Sequence, residues 1–342
     1  MERKLLLRNG AFRPWAIAAM LLLPPLIAVF CCGFGRMSLP PAKLIETAFL
    51  TLTGRDADPQ ARAVIFELRI PRILMAIAVG GGLGCAGAAC QALFSNPLAT
   101  PDILGVTSGT CVGAILAIIL SFNMAGIQAT ALLFGLFSVF VTLRLSSGKR
   151  GISILFLVLS GVMISSLFNA LSSLLKYTAD PMDKLPQITY WLMGSFTGAS
   201  YRKLLIGSPM ILIGTALIYL LRWQFNILSL SEDEARASGI HLKRMRILLV
   251  LAITMITASS VSMCGQVGWV GLLIPHCARM MTGSNNRLVI PMSISLGASF
   301  LILIDTLSRT LTVIELPLSV LTAILGAPFF ILLLKRSERS FR

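Results

Sequence analysis

Long stretches without Asp, Glu, Lys or Arg alternate with short clusters of charge along this chain, and the lengths of the stretches predict the elements. No charged side chain lies between Arg13 and Arg36, Arg72 and Asp102, Asp102 and Arg144, or Arg150 and Lys176. The same holds from Lys203 to Arg222, Arg246 to Arg279, Arg287 to Asp305, and Glu315 to Lys335. A bilayer core about 30 Å thick takes about 20 apolar residues as helix, at 1.5 Å each. Two stretches are too long for one crossing. Turn-like clusters divide them, Ser121-Phe-Asn-Met-Ala-Gly126 in one and Cys264-Gly-Gln-Val-Gly268 in the other. The pattern then predicts ten helices, near 15–33, 72–94, 103–121, 124–145, 152–175, 203–222, 246–264, 269–282, 288–306 and 316–334. The eighth is short enough to cross only part of the bilayer, shielded by its neighbours. The reading is an all-α integral membrane protein with ten transmembrane helices in one domain over 15–334, with tails at 1–14 and 335–342.

Composition agrees. Of 342 residues, 56% are hydrophobic and only 13% charged, against about 25% charged in an average soluble domain. A net charge of +15 would ordinarily suggest nucleic acid as a partner. The 29 Lys and Arg fall in clusters between uncharged stretches and form no stripe on one face, so nucleic-acid binding is excluded. An even number of spans puts both termini on one side. With the N-terminus inside, cytoplasmic segments hold 18 Lys and Arg and outer segments 11. The positive-inside rule therefore predicts a multi-pass plasma-membrane protein with both termini cytoplasmic. Lys43, Arg62, Arg69 and Arg72 crowd one outer loop against that rule. Near the N-terminus, Arg3, Lys4, Arg8 and Arg13 precede an apolar run ending at Cys31-Cys32, without a small-residue cleavage site, which reads as an uncleaved first span. The seven Cys include no C-x-x-C pair, so neither a disulfide framework nor a metal site is expected.

Several motifs carry chemical interest. Gly82-Leu-Gly84-Cys-Ala-Gly87 has the dinucleotide spacing but lies inside a span with no strand before it, so Gly80 and Gly84 read instead as a surface for close helix contact. No P-loop occurs. Gly161, Ser165, Asn169, Ser172 and Lys176 share one face of the fifth span, which fits either a water-filled passage or helix packing. The loop 222–246 is the largest cytoplasmic one, and Ser231-Glu-Asp-Glu234 opens a short capped helix ended by Gly239, suited to docking a partner or to plain solvation. Arg69 and Arg72, either side of Pro71 at an outer end, suggest an acidic extracytoplasmic partner, or snorkelling anchors. Asp305 and Glu315 sit at predicted span ends facing out, where charge is tolerable. Ser108 and His276 admit an intramembrane hydrolase, although a His beside Pro275 more often packs. An ion-coupled secondary transporter is the main alternative class, and it calls for a charged group well inside a span, which the pattern does not offer.

Five strings stand in order along the chain: LRIPR (68–72), QALFSNPLATPDILGVTSG (91–109), LPQITYWLMGSFTG (185–198), GQVGWVGLLIPHCARM (265–280) and ELPLSVLTAILGAPFFILLLK (315–335). Together they closely resemble the permease subunits of bacterial ABC importers for iron–siderophore, haem and vitamin B12. The resemblance implies a non-enzymatic, ten-span, vitamin B12 permease-like subunit that works as a homodimer in a bacterial or archaeal plasma membrane. It also implies two ABC ATPase subunits beneath, which bind the ATP and Mg, a substrate-binding protein outside, and no cofactor on this chain. On the same ground Ser231, Glu232, Asp233, Glu234, Ala235, Arg236, Ala237, Ser238, Gly239, Ile240 and His241 correspond to the ATPase-coupling helix. Arg69, Arg72 and Arg309 correspond to arginines that meet the binding protein. The path is implied to run along Gly161, Ser165, Asn169 and Ser172 of the fifth span and Ser319, Thr322 and Gly326 of the tenth. The implied cargo is a metal chelate, iron–siderophore first, with haem, vitamin B12 and molybdate as alternatives.

Overall fold

The protein is described by a computed structural model covering residues 6–8, 10–35, 37, 39–148, 151–229, 234 and 241–340. Helices fall on all ten predicted spans: α1 Pro14–Cys32, then, after an outer helix α2 Pro41–Leu52, α3 Ile70–Leu93, α4 Val106–Ile119, α5 Met124–Ser146 and α6 Ile154–Thr178. A short α7 Lys184–Leu192 precedes α8 Tyr201–Leu221, α9 Leu242–Cys264, α10 Val270–Thr282, α11 Asn286–Thr310 and α12 Leu318–Ser340. Among the described residues, seven helices are long and apolar enough to cross a membrane, while α4, α10 and the apolar part of α12 are shorter. The helices α2 and α7 lie outside the predicted spans. Each is far shorter than a bilayer crossing and carries charge, so a search for long uncharged stretches passes over both.

Local chemistry sets the boundaries. Asn123 caps α5, its side chain accepting from the Gly126 N–H at 2.8 Å, and Asn285 caps α11 by accepting from the Arg287 N–H at 3.0 Å. The predicted break after Cys264 is Gly265 at φ +74, a conformation that only glycine takes without strain. Two short antiparallel hairpins, β1 Leu7–Arg8 with β2 Ala11–Phe12 and β3 Ser147–Gly148 with β4 Gly151–Ile152, flank α1 and join α5 to α6. Outside the helix bundle, Lys43 meets Asp58 at 2.7 Å and holds that carboxyl below its ordinary pKa.

Three helices, α3, α9 and α11, form the buried centre, and α1, α5, α6 and α8 surround them with apolar faces turned outward. Lipid tails give no hydrophobic drive for helix association, so close backbone contact between small residues does that work. A Cβ at Gly80 would collide with the backbone of Gly297, one at Gly84 would stand 2.5 Å from the Ser293 carbonyl, and one at Gly87 would collide with Gly271. The glycine string of α3 is therefore the seam against α10 and α11, in agreement with the packing reading. Small hydroxyls fill the interior of α9, where Ser259 donates to the Gly207 carbonyl of α8 at 2.7 Å.

Candidate functional site

Two polar regions stand out, one within the bundle and one at the end where α11 meets α12. The inner one is a cavity of about 400 Å³. The turn before α4 contributes Asp102, the first turn of α4 contributes Thr107 and Ser108, the break before α10 contributes Gln266 and Trp269, α6 contributes Asn169, and α12 contributes Ser319. Asp102 accepts a hydrogen bond from the Thr107 hydroxyl. Gly161 admits that turn, because a Cβ there would collide with the Ile103 carbonyl. Gly161 is seven residues from the start of α6, so Asp102 enters roughly 10 Å along that helix. Trp269 holds φ +68, uncommon for a residue with a side chain. Its indole stands over α12 at Gly326, where a Cβ would come within 3.1 Å of it.

The expected path residues divide on this geometry. Asn169 and Ser319 line the cavity, and Ser319 also donates to the Met193 carbonyl at 2.7 Å. Ser165 is half-buried beside Gly105. Gly161, Ser172, Thr322 and Gly326 are buried, Gly161 and Gly326 as helix contacts and Thr322 donating to the Ser319 carbonyl. Asp102, Thr107, Gln266 and Trp269 were not singled out from the sequence. Their signal was present in the strings TPDILGVTSG and GQVGWVG, where polar groups sit beside helix-breaking Pro and Gly.

Residues 22–336 match the FecCD transport family. The chain belongs to that family. It is 38% identical over 326 residues to the molybdate import system permease MolB of Haemophilus influenzae, covering 95% of this chain and 97% of that protein. It is 35% identical over 342 residues to the vitamin B12 import system permease BtuC of Klebsiella pneumoniae, covering 97% and 96%. A solved structure described as an inward-facing metal-chelate type ABC transporter superposes with a TM-score of 0.86 at 38% identity, covering 95% of this chain and 100% of that one. The protein is thus a multi-pass membrane permease of the ABC transporter class.

The second polar region of this permease gathers the arginines expected to meet a binding protein. Arg69, Arg72 and Arg309 do converge, around a cavity of about 330 Å³, but their donors are engaged within the chain. Arg72 donates through Nε to Asp305 at 2.7 Å and grips Glu315 with both terminal nitrogens at 3.0 and 2.9 Å. Arg69 donates to the carbonyls of Cys32 and Met37. Arg309 donates to Phe34 at 2.6 Å and Cys31 at 2.8 Å, with its Nε 3.6 Å from Asp305. Gly35 lies between two of the guanidiniums, where a Cβ would stand 3.1 Å from each. Arg69 and Arg309 are buried and Arg72 is nearly so. A guanidinium keeps its charge when taken from water, and these acceptors replace the hydration it loses. Asp305, expected to face out, is only 1% exposed and ends α11 as the hub of the cluster.

At the other end, Ser231, Glu232, Asp233, Ala235, Arg236, Ala237, Ser238, Gly239 and Ile240 of the expected coupling segment lie outside the described residues. Glu234 is helical and exposed, and His241 precedes α9. A polar chain links the stretch after α8 to α11, α10 and α3. Asn226 donates to Asn285 at 2.8 Å and accepts from the Asn286 N–H at 2.9 Å. Arg279 donates to Asn286 and to Gln91, both at 3.2 Å. His276 packs edge-on against Phe330 with its Nε2 unpartnered, and Ser108 faces the cavity, so the two form no hydrolytic pair.

Proposed function

We propose that two copies of this permease enclose a translocation path for a metal chelate, driven by two separate ATPase subunits and supplied by an external binding protein. The observation that carries this reading is the polar cavity at Asn169, Trp269 and Ser319. Its lining mixes neutral hydrogen-bonding side chains with apolar ones and holds one carboxylate, Asp102. Such a surface passes a bulky solute without holding it tightly, which transport requires. ATP binding by the partner subunits biases two states of the dimer, and the cavity opens to one side and then the other. Both termini lie in the cytoplasm in this scheme, and the segment Ser231–His241 meets the ATPase. This chain performs no covalent step and holds no cofactor; ATP and Mg belong to the ATPase.

Ferric siderophore is the first cargo to test. Molybdate is the second, favoured by the extended likeness to a molybdate permease. The decisive experiment reconstitutes the permease in liposomes with its neighbouring ATPase and binding protein. ATP-dependent uptake of labelled ferric chelate or molybdate is expected, and none without the ATPase. Accumulation by the permease alone under a proton or sodium gradient would replace this reading with an ion-coupled transporter.

A further inference from the structure

A groove of about 640 Å³ lies between α1, α8 and α11, away from the polar cavity. Its origin is in the sequence. Pro24 and Pro25 interrupt α1 and have no N–H to give the carbonyls one turn back. The Met20 carbonyl is satisfied instead by the Ser295 hydroxyl of α11 at 2.7 Å. This ties α1 to α11 at one point, and beside the tie the groove is walled by Ile17, Leu21, Ile77, Leu288, Ile294 and the prolines. Ile17 and Leu21 are exposed on the outer helix α1, so the wall is continuous with the lipid-facing surface.

One end of the groove is cationic. Arg222 closes α8 and lines it, its guanidinium held 3.9 Å over the Tyr219 ring and donating to the Tyr219 carbonyl at 2.6 Å. Arg287, in the first turn of α11, lines the same end. It is exposed and has no ion-pair partner among the described residues. Among the described residues, no acidic side chain lines the groove. Two arginines at the interfacial end of an apolar channel reproduce the two parts of a phospholipid: a phosphate for the guanidiniums and acyl chains for the aliphatic wall.

We propose that this groove is a binding site for an anionic phospholipid, with Arg222 and Arg287 holding the headgroup and the Pro24–Pro25 bend admitting an acyl chain. In the orientation given above it opens to the cytoplasmic leaflet, the one richer in anionic lipid. A bound lipid there wedges α1 against α11 and stabilises the folded bundle by mass action.

The test titrates delipidated permease in mixed micelles with phosphatidylglycerol, phosphatidylcholine, diacylglycerol or glycerol phosphate, reading the thermal midpoint. Phosphatidylglycerol alone should raise it saturably. Arg222→Gln with Arg287→Gln should weaken the apparent affinity roughly tenfold or more. Arg287→Gln alone, which breaks no side-chain bond among the described residues, should do so by a smaller factor, while Arg144→Gln on α5 should not. An equal response to phosphatidylcholine, a full response to glycerol phosphate, or an undiminished response in the double variant overturns the proposal. So does a protein helix found crosslinked into the groove in native membranes where lipid was expected.

Discussion

Arg72 shows how much one residue decides in a membrane interior. Its guanidinium pairs with Asp305 and Glu315 at once, and Asp305 has almost no contact with water. Removing one partner of a buried pair strands the other charge, at about 3–5 kcal/mol. Arg72→Ala should therefore lower stability by that order in a detergent unfolding titration, and adding Asp305→Asn should recover part of the loss. A charge-reversed Arg69 or Arg72 would disturb the fold before it disturbed any docking. Loss of binding-protein affinity in such a variant is informative only where the unfolding midpoint is unchanged. These arginines were singled out in the sequence as a cluster near one span end. Their role was not legible there, because Arg72 and Asp305 are 233 residues apart and only folding brings them together.

At the scale of elements, the glycine string of α3 was readable in advance. Spacing of four along a helix places Gly80 and Gly84 on one face, and the absence of a strand ruled out nucleotide binding. The partner face, Ser293 and Gly297 on α11, was not readable, since any small-residue face in the bundle qualified. Gly84→Leu should force α3 and α11 apart and cost about 1–3 kcal/mol or more, visible as a lower thermal midpoint. Gly54→Leu, with open space around it, serves as the control, apart from strain at its φ of +70. A second prediction concerns the chain from Gln91 through Arg279 and Asn286 to Asn226. Asn226→Leu leaves the Asn286 N–H without its acceptor and removes the bond to Asn285, whose Oδ1 still accepts from the Arg287 N–H. In the reconstituted transporter, uptake per ATP hydrolysed should fall about 2- to 30-fold, with the permease still folded. Unaltered stoichiometry would show that the chain is only a brace.

For the whole molecule the question is which surface meets the cargo. Asn169 lines the cavity while Ser172, one turn on, is buried, so the polar face of α6 is split between passage and packing. A cysteine at Asn169 in a Cys-depleted chain should react with hydrophilic thiol reagents, at a rate that changes with the nucleotide state of the ATPase. A cysteine at Ser172 should stay inert. Equal reactivity at both would place the wall of the passage elsewhere.

By itself the sequence determined that this chain lives in a membrane, where its helices run and which of them could pack closely. Those properties follow from the transfer free energy and spacing of neighbouring residues, and both are local sums. Tertiary structure alone decided that Asp102 and Trp269 share a cavity with Asn169, and that three outer arginines are tied to their own chain. Each of these is a pairing between distant segments, and burial makes the pairing obligatory: a charge or polar group removed from water must find its partner wherever the fold supplies one.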